Sequence, residues 1–88
     1  MEIAFEASFG RDLKRIKDRQ LLPRVQQVIE EIKVAPKLDD VRNLRKMQGY
    51  DTYYRIRVGD YRMGIEVIAE KVIFVRILHR KDIYRYFP

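Results

Sequence analysis

The chain contains no cysteine, which excludes a disulfide framework and any thiolate metal site. Its one histidine, His79, stands in no His-Glu zinc motif, and no Ser-His-Asp order is built around it. A Walker loop and paired Gly-rich phosphate loops are missing too. The carboxylates are too few and too scattered for a two-metal nuclease. Asp60 follows a glycine and reads as a turn-former rather than a metal ligand. No apolar stretch is long enough to span a bilayer, and Met1 to Glu6 has no apolar leader core. There is no internal repeat and no low-complexity run. The default expectation is a soluble cytoplasmic protein, with no metal, cofactor or membrane partner implied by these features.

What is present is compact and basic. The 88 residues, 47% of them hydrophobic, predict a single domain over 1–88. A chain of this size buries roughly 60% of its unfolded surface, so a protein partner would add useful contacts. Nineteen Lys and Arg face thirteen Asp and Glu, a net charge of +6. That surplus points to an anionic partner: nucleic acid, an acidic protein or a membrane surface. Many small basic proteins are merely soluble, so the placement of the charge matters more than its sum.

Glu2 to Glu6 alternates, with Ile3 and Phe5 on one side, and predicts a first strand. Ser8 offers an N-cap, and Phe9, Leu13 and Ile16 form the apolar stripe of a helix over 9–18. Leu21-Leu22-Pro23 opens a second helix, since proline suits a first turn. Val25, Val28, Ile29 and Ile32 are its buried stripe, and Pro36 ends it. Lys37 to Asp40 reads as a linker. Val41 to Lys46 is a short extended segment anchored by Leu44. A loop with Gly49 follows. Tyr53–Val58 and Tyr61–Ile68 alternate around Gly59-Asp60, a two-residue hairpin connection. Ala69 to Lys71 turns the chain again. Val72 to Leu78 is apolar enough to lie inside a sheet with both faces covered. His79 to Pro88 is a basic, aromatic tail. The fold class is therefore α+β: a small antiparallel sheet with an N-terminal helical hairpin packed on one face, and the other face open.

Pairing through Gly59-Asp60 sets Val58 against Tyr61, Arg57 against Arg62, Ile56 against Met63 and Arg55 against Gly64. Tyr54, Ile56, Val58, Tyr61, Met63 and Ile65 then face the helices. Arg55, Arg57, Arg62, Gly64 and Glu66 face away. Two arginines directly opposite each other repel, and an anion between them relieves the repulsion. Gly64 would open a hollow beside Arg55. A phosphate fits such a place, because guanidinium forks match its oxygens. A solvated sheet face explains alternating polarity equally well; same-sign clustering around a glycine favours the anion site.

His79, Arg80 and Tyr84 form a second group. Pairing through Glu70-Lys71 would put His79 opposite Arg62, and a slip of one residue would exchange the faces. Arginine can stabilise a charged phosphorane, tyrosine can stack on a base or handle a proton, and histidine can act as general acid or base. The competing readings are a structural histidine at a strand end and a C-terminal aromatic cover, Tyr84 and Tyr86, over the core. RNA cleavage by the RNA's own 2′-hydroxyl suits these residues, because it needs positioning and charge stabilisation more than a protein nucleophile.

Three runs, Asn43-Leu44-Arg45, Tyr54-Arg55-Ile56-Arg57-Val58-Gly59-Asp60-Tyr61-Arg62 and His79-Arg80-Lys81-Asp82-Ile83-Tyr84, resemble the RelE/ParE superfamily of type II toxin–antitoxin toxins. The resemblance spans nearly the whole chain, including the order of elements. It implies a RelE-like toxin that enters the ribosomal A site and cuts mRNA, and that a cognate antitoxin wraps and blocks. It also implies that operator DNA is bound only as a toxin–antitoxin complex. Carried over by position, the catalytic set is Arg55, Arg57, Arg62, Arg80 and Tyr84. His79 joins it as a candidate for proton transfer, and Arg45, Lys46, Lys81 and Arg85 are expected to bind RNA. Relatives often carry lysine at the strand pair, one of them acting as general base. Arg55 and Arg57 stay protonated, so His79, Tyr84 or a phosphate oxygen would take that role. Ile65 stands where relatives often carry an aromatic residue. The competing functions are a ParE-like DNA gyrase poison, whose helical hairpin tends to be longer, and an inactive relative that serves antitoxin binding and operon regulation. An exposed half of the sheet, with Val75 or Ile77 beneath it, is the expected antitoxin groove.

Overall fold

Five strands and three α-helices account for most of the chain in the computed structural model, which describes residues 1–88. The order is β1 (Glu2–Phe5), α1 (Ala7–Arg15), α2 (Leu21–Val34), a 3-10 turn (Leu38–Asp40), β2 (Leu44–Lys46), β3 (Tyr53–Val58), β4 (Tyr61–Ile68), β5 (Lys71–His79) and α3 (Ile83–Tyr86). The sheet runs β1-β5-β4-β3-β2. From β2 to β5 every pairing is antiparallel, as alternation and the tight turns predict. β1 departs from that expectation and lies parallel to β5. The two helices after β1 provide the crossover that a parallel neighbour requires.

The hairpin register is the one predicted, from Val58 opposite Tyr61 to Arg55 opposite Gly64. Gly59 adopts φ +60°, a value glycine takes without steric cost. The face assignment also holds. Ile56, Val58, Met63 and Ile65 join Phe9, Leu21, Val25 and Ile32 of the helices in one core, with Tyr54 and Tyr61 packed against it. Val72, Phe74 and Ile77 complete that core from β5. Ile77 thus lies on the helix side, not beneath an open groove.

Helix α1 starts earlier than its apolar stripe suggests, with Glu6 at the N-cap position. Ser8 does not cap it. Its hydroxyl donates to the Val75 carbonyl at 2.6 Å. The reason is the sheet edge. β1 ends at Phe5, opposite Phe74, while β5 continues to His79. That leaves polar main-chain groups of β5 without a neighbouring strand. Ser8 satisfies one, and Asp12 Oδ2 accepts from the Ile77 N–H at 3.1 Å. Side chains of α1 therefore replace the missing strand and close an edge that would otherwise be free to pair.

The second face is not fully open. The tail turns back as α3, and Ile83 and Phe87 pack with Met47 in a smaller core flanked by Tyr53, Val75 and Leu78. The expected hollow at Gly64 is filled. A Cβ there would lie 2.7 Å from the Phe87 ring. Glycine is used at this position to admit an aromatic ring, not a phosphate.

Candidate functional site

Arg62 sits at the centre of the charged face. Its Nη1 donates to the Gly59 carbonyl at 3.0 Å and the Tyr61 carbonyl at 2.9 Å. The hairpin turn thereby holds the guanidinium in place, and preorganisation of this kind costs nothing further when an anion arrives. Partial burial, followed by the charges of Arg57, Arg55 and Arg80, holds Arg62 below the usual arginine range; Tyr84 acts in the opposite direction. Arg55, Arg57, Arg80 and Tyr84 thus each lie within electrostatic reach of Arg62. None of the four arginines has a carboxylate within ion-pair distance; the ion pairs of the chain are Lys33–Glu30, Arg42–Glu31, Lys46–Asp51 and Arg76–Asp12.

Each member is placed by a different piece of the fold. Arg57 and Arg62 are directly opposed across β3 and β4, and Arg45 opposes Arg55 across β2 and β3. Arg80 follows β5, where its N–H donates to the Asp60 carbonyl at 2.8 Å and ties the tail to the hairpin turn. Tyr84 projects from the first turn of α3 and remains largely exposed. The Arg55 guanidinium lies 5.3 Å from its ring centroid, a cation–π distance. The buried Ile83 and Phe87 on either side of Tyr84 anchor the segment that presents it. The arrangement offers a converging set of guanidinium donors beside an exposed ring. Its natural complement is a phosphate diester next to an unstacked base.

Comparison with known proteins identifies the family and the fold. The family model described as the ParE toxin of the type II toxin–antitoxin system parDE matches residues 3–84. The chain is 45% identical to Toxin RelE3 of Methanocaldococcus jannaschii, covering 100% of both chains. The chain belongs to the RelE/ParE superfamily of type II toxins. The RelB–RelE antitoxin–toxin complex from Methanococcus jannaschii matches with TM-score 0.81 at 44% identity, over 97% of this chain and 99% of that one. An archaeal RelE–RelB complex from Pyrococcus horikoshii shares the fold, with TM-score 0.72 at 17% identity over 90% and 93% of the two chains. The protein is a toxin of a type II toxin–antitoxin system.

Not every residue expected at the candidate site lies there. His79 pairs with Tyr61, not Arg62, and the two rings are 5.6 Å apart. Arg62 instead faces Leu78. Two local features move the register. The turn after β4 is Ala69-Glu70, with Ala69 at φ +54°, and a bulge lies opposite the Gly64/Ile65 step. His79 consequently lies on the helix side of the sheet, where its Nδ1 accepts the Lys81 N–H at 3.2 Å. Lys46 pairs with Asp51 at 3.8 Å. The Arg85 guanidinium covers Tyr86 instead of joining the cluster, and Lys81 is exposed at the turn before α3.

Asp12 and Arg76 belong to the scaffold of this face and were not singled out from the sequence. Arg76 donates to Asp12 from Nε at 2.7 Å and from Nη2 at 3.1 Å. The signals were there: Asp12 interrupts the apolar stripe of α1, and Arg76 is the one charge inside Val72–Leu78. A charge at a buried periodic position requires a partner.

Proposed function

We propose that this toxin is an endoribonuclease that cuts mRNA in the ribosome. The observation that carries the reading is the placement of Arg55 and Arg57 on β3 beside Arg62 on β4, with Arg80 tied to the same hairpin turn, the exposed Tyr84 5.3 Å from Arg55, and no carboxylate paired to any of the four arginines. Charge of one sign held this closely favours a bound polyanion.

In this reading the scissile phosphate lies among the guanidinium groups, and a base packs against Tyr84. The 2′-oxygen of the preceding ribose attacks phosphorus as its proton passes to a non-bridging phosphate oxygen. The P–O5′ bond breaks, and that proton leaves with the 5′-oxygen. The products are a 2′,3′-cyclic phosphate and a 5′-hydroxyl. Arg62 and Arg80 stabilise the extra charge on the phosphorane, and Arg55 and Arg57 fix the in-line geometry. No metal takes part. His79 is left out of this step because it lies on the other side of the sheet. Arg45, Lys46, Lys81 and Arg85 supply the surrounding positive field for ribosomal and messenger RNA. A cognate antitoxin carrying an acidic, amphipathic segment competes for the arginines and binds operator DNA together with the toxin. The site of action is the cytoplasm.

Expression of Arg62→Ala and Arg80→Ala tests the reading: each variant is expected to stay folded and to relieve growth arrest. Full toxicity in both would remove the proposed site. The parDE description of the matching family model supports a second reading, inhibition of DNA gyrase. A supercoiling assay separates the two, and the ribonuclease reading expects no inhibition there.

A further inference from the structure

A cavity of about 480 Å³ opens between the edge strand β2 and the Arg55–Tyr84 pair, the size range of small-ligand sites. Three features make it more than a gap between charges. Arg55 and Tyr84 present flat guanidinium and aromatic surfaces along one wall, the kind on which unstacked bases settle. Met47, buried in the smaller core, lines the cavity and fixes the start of the loop that follows β2. Beside it Gln48 also lines the cavity and is exposed. It is the only neutral amide among the lining side chains, the rest being apolar, cationic or Tyr84.

The strand edge adds main-chain groups. Met47 N–H donates to the Tyr53 carbonyl, and Arg57 N–H donates to the Asn43 carbonyl. Alternation therefore turns the main-chain groups of Leu44 and Lys46 outward, away from β3. The cavity thus combines a flat wall, a polar rim and one side chain that both donates and accepts.

We propose that this cavity seats one nucleobase of the bound RNA and that Gln48 reads it as adenine. The proposal rests on the RNA-cleaving reading and makes it specific. A carboxamide presents a donor and an acceptor side by side, which matches the N6–H and N7 of adenine in a bidentate pair. Guanine offers two acceptors on that edge, the complement of a guanidinium, but Arg55 is held against the Tyr84 ring and Arg45 serves the ribose-phosphate, which leaves Gln48 to read the base. The cationic side chain of Arg45, opposite Arg55 on the neighbouring strand, holds the ribose-phosphate, where it adds affinity without selecting a base.

The test is titration of the purified full chain with the trinucleotides AAA, UUU and CCC, followed by NMR of the Gln48 side-chain amide. AAA is expected to bind about tenfold more tightly than the other two, from the value of one bidentate pair, and to shift that amide resonance. Gln48→Ala, at an exposed position, is expected to reduce the preference to less than about twofold. Tyr84→Leu is expected to weaken all three ligands together, because stacking tolerates any base. Equal affinities, no binding, or an adenine preference that survives Gln48→Ala would overturn the assignment. Cleavage in a translation reaction separates the two ideas. Adenine-selective binding by a protein that cuts no mRNA upholds the cavity and removes the ribonuclease reading. Cutting without adenine-selective binding does the reverse.

Discussion

Replacing Asp12 by alanine removes one carboxylate and leaves two groups without partners. The Asp12 side chain accepts two hydrogen bonds from Arg76 and one from the Ile77 N–H. Ile77 is 1% exposed, so its N–H has no route to water and costs about 1–3 kcal/mol when unpaired. Breaking a fully buried pair costs about 3–5 kcal/mol. That range is too high here, because the Arg76 side chain is 24% exposed and can turn partly into solvent. A total loss of about 3 kcal/mol follows from the main-chain group plus a discounted share of the pair. Against a stability of about 4–13 kcal/mol for a chain of this length, that is a large fraction. Urea denaturation measures it. With a slope of about 1 kcal/mol/M for a small protein, the midpoint falls by roughly 3 M. Asp12→Asn is expected to fall between wild type and alanine, since its oxygen can still serve Ile77 while its NH2 opposes the guanidinium. A loss below about 1 kcal/mol for Asp12→Ala would show that α1 does not close the β5 edge through this carboxylate.

Gly64→Ala places a methyl group against the Phe87 ring and is expected to cost about 1–3 kcal/mol. Most of that cost should vanish in a Phe87→Ala background, and thermal denaturation of the four proteins closes the cycle. The negative charge of Glu66, directly opposite on β4, raises the Tyr53 hydroxyl above the ordinary tyrosine value of 10.0, and burial adds to the shift. A raised folded value gives stability that is complete below pH 10 and lost as pH rises through the folded value. Absorbance titration is therefore expected to show one late tyrosine in wild type, which returns to the ordinary range in Glu66→Gln.

Much of the charged face was legible in the sequence, because a two-residue turn and strict alternation fix register and faces together. Arg57 against Arg62 and Gly64 against Arg55 follow from Gly59-Asp60 alone. The β4–β5 register was not legible in the same way. A residue with a side chain at positive φ, Ala69, sets that turn, and a bulge near Val75 has no signature in an otherwise apolar strand. The two shifts together moved His79 away from Arg62. The hollow at Gly64 failed for another reason: the residue that fills it, Phe87, is distant in sequence, and the tail carries no long periodic pattern that predicts where it folds back. The parallel pairing of β1 is also a long-range outcome. A short strand followed by two helices can return to either edge of the sheet in either direction.

The proposed function stands on the arginine face cutting RNA on the ribosome. Cell-free translation with added toxin, followed by primer extension on the mRNA, tests it most directly. Breaks are expected only while ribosomes translate, and they are expected to disappear with Arg62→Ala. Intact mRNA at toxin concentrations that stop growth, or equal cutting by Arg62→Ala, would contradict it.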